Sequence, residues 1–337
     1  MQHPYDPLII RGKKLLPIVQ GGMGVGISAS SLSSAMARQG AVGTIASIDL
    51  RHLHPDLLEE SNKDPNKDKH TRLNLIALDR EVKKALELSE GKGMIAVNVM
   101  KAVTDYEVLV KQACESGANA IVMGAGLPLD LPDLTEDHPD VALFPILSES
   151  RGINIVLKRW MKKNRLPDAI VIEHPNHAGG HLGAAQIKDL GDDRFTFSRV
   201  IEETMETFKN LGLESEKIPL ILAGGMAKAK KIHTALKSWG ANAVQIGSAF
   251  AVTHEGDAHD NFKDTLVGAT PEDVVEFISV AGLPARAVNT PFLQKYLQNV
   301  ERLQSAAKAD QRRCRNSVNC LTVCGLRHGI SQIGQFC

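Results

Sequence analysis

Glu173, His174, His177 and His181 fall within one short stretch, EHPNHAGGHLGAA. The histidine spacings of three and four would place all three rings on one face of a helix. Gly179 and Gly180 interrupt that stretch, and a glycine pair disfavours a continuous helix. No nearby Asp, Glu or Cys completes a ligand set, so a metal is not expected. A general acid/base or a substrate-orienting histidine is the chemistry that fits. His181 is the candidate, while His174 and His177 suit surface or hydrogen-bonding roles.

A second group of residues is suited to holding a phosphate. Ala223-Gly224-Gly225-Met226 and Gly247-Ser248 each follow a short apolar run, about twenty residues apart. Backbone N–H groups must come close to phosphate oxygens, and glycine leaves room for that approach. Ser248 adds a hydroxyl. A third glycine stretch, QGGMGVGISA, begins at Gln20 and includes Gly21, Gly22 and Met23. Its Gly24-x-Gly26-x-x-Ala29 letters fit a dinucleotide-binding fingerprint, with Asp49 ending the next strand as a ribose-binding acid would. The better phosphate loops come some 200 residues later, so these glycines are expected to let main chain press against a flat ligand. Asn98 lies within an apolar run, where its amide either meets a ligand or satisfies backbone groups.

These residues need elements to position them. Short, β-branched apolar runs alternate with amphipathic stretches throughout the chain: LPIV, AVGTIAS, MIAVNVM, ANAIVMG, VALFPIL, DAIVIE, IPLILAG and NAVQIG. Runs that are apolar throughout suit parallel strands buried on both faces. Eight strand–helix units predict a (β/α)8 TIM barrel, with a doubly wound sheet as the alternative. In a barrel the active site forms from the loops after the strands, which is where the glycines and histidines fall. Helices are expected over Leu73–Leu88, over Ile153–Met161, and after a capping box at Thr104 and Glu107. The polar insert SNKDPNKDKH reads as a solvated loop. Residues 1–268 are assigned to the barrel. Residues 269–337 are assigned to a C-terminal helical segment packed on it, with helix signals near Pro271–Val280 and Thr290–Ala307.

The bulk composition narrows the partners. Basic and acidic residues balance at 39 each, which leaves no electrostatic footprint for nucleic acid or an anionic membrane. No apolar run approaches the roughly 20 residues needed to cross a bilayer. The N-terminus lacks signal-peptide features, so a cytoplasmic protein is expected. Five cysteines, four of them at Cys314, Cys320, Cys324 and Cys337, match no disulfide framework or metal pattern, and packed free thiols are expected.

PIVQGGMGVG, VNVM, GAGLPLDLP, AGGHLG, IPLILAGGMA and VQIGSAF, in this order, resemble the nitronate monooxygenase (2-nitropropane dioxygenase) family, which includes FMN-dependent enoyl-acyl-carrier-protein reductases. The resemblance implies a barrel holding FMN. Gly21, Gly22 and Met23 would lie against the flavin, with Asn98 in contact and Gly179 and Gly180 packed nearby. Ala223, Gly224, Gly225, Gly247 and Ser248 would hold the phosphate, with Gln245 close by. His181 matches the active-site histidine of the family. The implied reaction oxidises an alkyl nitronate with O2 to a carbonyl compound and nitrite, and NAD(P)H would visit only transiently. The chain differs from the resemblance at Glu173-His174, where a glycine usually follows the acid, and at Ala184-Ala185, where an aromatic is expected. Reduction of an enoyl thioester or a quinone by NAD(P)H, and a non-redox phosphate-binding barrel, are the alternatives.

Overall fold

A computed structural model of the chain describes residues 4–63, 66–181, 183–184, 186–279 and 284–299. Eight parallel strands close into a barrel: β1 (Ile18–Gln20), β2 (Val42–Ala46), β3 (Met94–Met100), β4 (Ala120–Gly124), β5 (Ala142–Leu147), β6 (Ile170–Glu173), β7 (Leu220–Ala223) and β8 (Ala243–Ile246). Each pairs with the next, and β8 closes on β1 through Val244↔Ile18, Gln245↔Val19 and Ile246↔Gln20. The doubly wound alternative is excluded, because an open sheet has no such closing ladder.

Alternate residues of each strand serve two different cores, as the period of two requires. Val19, Val42, Ala96, Val122, Phe144, Val171 and Ile221 fill the barrel interior. Ile45, Ile95, Ile121, Leu143, Ile172 and Leu222 face the surrounding helices. An N-terminal hairpin, Leu8–Ile10 paired with Lys13–Leu15, was not anticipated from the sequence. Its Leu8, Ile10 and Leu15 join the interior cluster, and Arg11 bonds Asp168 (2.8 Å) just before β6. The hairpin therefore plugs the N-terminal end of the barrel, and the C-terminal end of the strands is left to form the site.

Three local expectations are corrected. Most of the polar insert is helical: it spans the end of a helix at Pro55–Lys63 and the start of another at Lys67–Leu88. The Asn66 side chain caps the second helix by accepting from the Asp68 N–H (2.8 Å), and His70 Nε2 meets the Ser61 carbonyl (3.1 Å). The Thr104–Glu107 capping box does not form. The helix there, Tyr106–Glu115, starts later, and Glu107 accepts from the Tyr106 hydroxyl instead (2.9 Å).

The third correction concerns the C-terminal segment. Pro271–Asp273 is a 3-10 turn, and Val274–Ile278 is a strand in place of the expected helix. That strand pairs antiparallel with Pro284–Val288, which pairs in turn with Gly180–His181. Residues 291–299 are helical, as expected. Cys314, Cys320, Cys324 and Cys337 lie outside the described residues. Cys114 is buried in the core, and burial pushes its thiol up to about 11. No helix among the described residues is long and apolar enough to cross a membrane.

Candidate active site

The loop after β1 crosses the C-terminal mouth of the barrel. Gly21 anchors it by donating its N–H to the Ile246 carbonyl (2.9 Å). Buried Gln20 holds the adjoining strand end, accepting from the Thr44 N–H (2.8 Å) and donating to the Thr44 carbonyl (3.1 Å). Gly22 passes so close to Asn98 that a Cβ there would sit 2.3 Å from Asn98 Cβ. No other residue type fits at that distance. A Cβ on Gly21 would sit 3.3 Å from the Gln245 amide nitrogen, and one on Gly247 would sit 3.5 Å from Met23 Sδ. Gly21, Gly22, Met23, Asn98, Gln245 and Gly247 are thus brought together as one surface, mostly of main chain.

The same mouth continues over β6, β7 and β8. Glu173, Ala223 and Gln245 stand at one level of the ladder. Gly224 and Gly225 turn the chain with φ of +95° and +69°, in the left-handed region where glycine carries no steric cost. They lie against the loop after β6: a Cβ on Gly224 would meet the His174 carbonyl at 2.9 Å, and one on Gly225 would meet His177 Cβ at 3.1 Å. A Cβ on Gly179 would lie 3.5 Å from Ser248 Oγ. Among the described residues, the N–H groups of Gly224, Gly225, Gly247 and Ser248 have no protein acceptor. Free backbone donors on glycine turns are the kind of group that accepts an anion.

The electrostatics match that reading. Burial pushes the Glu173 carboxyl up to about 7. Burial, then the positive charges of Lys231 and Arg286 together with His177, pushes His174 down to about 4. Burial and the same two cations lower His177. The rings of His174 and His177 pack at a tilt of 40° with centroids 4.8 Å apart, and His174 meets Phe197 edge-on. Among the described residues, no group of three or more His, Cys, Asp or Glu could hold a metal ion.

His181 lies in the short strand that pairs with Ala285, and its neighbour Gly180 pairs with Arg286. Arg286 fastens this loop from outside. It donates to the Ala178 carbonyl (2.7 Å) and forms an ion pair with Glu276. Ala184 packs with Ala178, Leu190 and Phe195.

The dinucleotide reading of QGGMGVGISA fails on a specific contact. The helix after it, Ser30–Arg38, has its N-terminal N–H groups occupied by Asp257, which accepts from Ala29 (2.8 Å), Leu32 (3.2 Å) and Ser31 (3.2 Å). A pyrophosphate would need that position. Asp49 is also committed, holding Arg51 and accepting from Asn74 Nδ2 (3.1 Å). Sequence reasoning missed Asp257, Arg286 and Lys231. Each lies far along the chain from the loop it serves or reads locally as a surface charge.

Residues 11–332 match the family model described as Nitronate monooxygenase. The chain belongs to that family. A Bacillus subtilis (strain 168) protein named "Probable nitronate monooxygenase" is 27% identical over 288 residues, covering 83% of this chain and 78% of that one. Among solved structures, FabK from Thermotoga maritima superposes with a TM-score of 0.64 at 21% identity, covering 95% of this chain and 84% of the other. Nitroalkane oxidase from Streptomyces ansochromogenes gives 0.61 at 19% identity, covering 87% and 86%. At such identities these two structures speak for the fold. Family membership makes this nitronate monooxygenase relative an oxidoreductase of the flavin-dependent kind.

Proposed function

We propose that the chain binds FMN across the barrel mouth and oxidises alkyl nitronates with O2, giving a carbonyl compound and nitrite. The observation that carries this reading is the set of four acceptor-free N–H groups at Gly224, Gly225, Gly247 and Ser248, beside the flat main-chain surface of Gly21–Met23. A phosphate monoester fits the first and a planar ring the second. A dinucleotide would require a further phosphate position, and Asp257 fills the helix terminus that could have provided one.

In this reading Ala223, Gly224, Gly225, Gly247 and Ser248 hold the phosphate. Gly21, Gly22, Met23, Asn98, Gln245, Gly179 and Gly180 border the ring. FMN held by these residues would supply the redox chemistry that links oxidation of the nitronate to reduction of O2. The chain supplies orientation and charge. His181 holds the nitro group or takes a proton from a neutral nitroalkane. Glu173, pushed up to about 7 by burial, repels an anionic substrate less than an ordinary carboxylate would. A reductant such as NAD(P)H visits the mouth transiently.

His181→Asn tests the assignment. The variant is expected to keep its flavin and lose nitrite release from a nitronate by about 10²-fold or more. Nitrite release at the wild-type rate would remove His181 from the chemistry.

A further inference from the structure

We propose that Lys231 supplies the counter-charge for the ligand's phosphate monoester and thereby selects FMN over riboflavin. The proposal rests on the FMN reading above and names a residue that the glycine loops alone do not include.

Lys231 belongs to the helix Ala229–Lys237, which follows the Gly224–Gly225 turn. Its Nζ lies 3.0 Å from the point where a Cβ on Gly225 would sit. The ammonium is therefore held directly against the turn whose N–H groups lack acceptors. Lys228 and Lys230 are exposed, whereas Lys231 is half-buried. Among the described residues it makes no ion pair, and its ammonium lies 5.9 Å from the centre of the Phe197 ring.

That arrangement is unfavourable without an anion. A helix N-terminus carries partial positive charge and favours acids in its first turn. This helix has no acidic residue there, no side-chain cap, and three lysines within four residues, at 228, 230 and 231. Burial pulls the Lys231 ammonium below the ordinary lysine range, which marks a cation with no carboxylate to offset its desolvation. The groups that feel its charge are His174 and His177, whose rings are both lowered by burial and by the neighbouring cations. Of the acids on the neighbouring elements, Glu173 has its carboxyl driven towards the neutral form by burial, and Glu276 is paired with Arg286. A doubly charged phosphate monoester satisfies the ammonium and the four N–H groups together. Riboflavin, which lacks that phosphate, satisfies neither.

Titration of the flavin-free full chain with FMN and with riboflavin, followed by flavin fluorescence, tests this in wild type, Lys231→Met and Lys231→Arg. Wild type is expected to prefer FMN. Lys231→Met is expected to lose roughly 10- to 100-fold in FMN affinity, the scale of one charge-assisted hydrogen bond, with riboflavin affinity unchanged. Lys231→Arg is expected to keep most of the preference. A Lys231→Met chain with the wild-type preference for FMN overturns the proposal and leaves the cofactor reading standing. Equal loss of both ligands also overturns it, since it would show a structural role. If wild type takes up neither flavin, the cofactor reading fails and this proposal fails with it.

Discussion

Gly22 and Asn98 are fixed by each other. Their closeness leaves no volume for a Cβ, so the loop can lie flat only with glycine at that position. The same mouth shapes the titration of its acid. Glu173 has an ordinary value of 4.5 and is pushed up to about 7 in the folded chain. The folded state then holds its proton longer than the unfolded chain does. As pH rises from about 4.5 to about 7, this group progressively costs stability, and above about 7 the cost is constant. Glu173→Gln removes that cost. Thermal melts of the flavin-free chain should show the Tm of the variant gaining on wild type between pH 4.5 and 7, with a level difference above. A difference that does not change with pH would mean that the carboxyl is not buried as described. At this scale the glycines that crowd Asn98, His174 and Ser248 were legible because their type is unusual after an apolar run. Lys231 was not, because a lysine in AKAKK looks solvated until the fold brings it against Gly225.

Among the elements, the loop after β6 depends most on distant sequence. It carries His174, His177 and His181, yet it is held by a hairpin about a hundred residues later. Sequence patterning missed this because PEDVVEFISV opens with a proline and two acids, as a helix would. The β-branched Val274, Val275 and Ile278 instead follow a partner strand that local periodicity cannot reveal. Arg286 is the principal side-chain tie, joining the Ala178 carbonyl to Glu276. Arg286→Met should raise amide exchange across residues 178–181 by roughly tenfold or more, the scale of one lost charge-assisted bond. Turnover should fall with it. Exchange at the wild-type rate in that segment would show that the strand pairing alone holds the loop.

For the whole molecule, the eight apolar runs made the barrel legible, since each is too uniformly apolar for a sheet with one wet face. The hairpin that seals its base was not legible, because Leu8, Ile10 and Leu15 are too few to form a periodic pattern. Among the described residues the hairpin closes the base, and the loop side brings together the glycines, His174, His177 and the cations of Lys231 and Arg286. The central claim is that a flavin in this mouth takes electrons from a nitronate. Its most direct test is to mix the flavin-loaded full chain with an alkyl nitronate in the absence of O2 and follow the visible flavin band. The band is expected to bleach with nitronate alone and to return when O2 is admitted, with nitrite formed. A band unmoved by nitronate, but bleached by NAD(P)H and restored by an enoyl thioester, would contradict it.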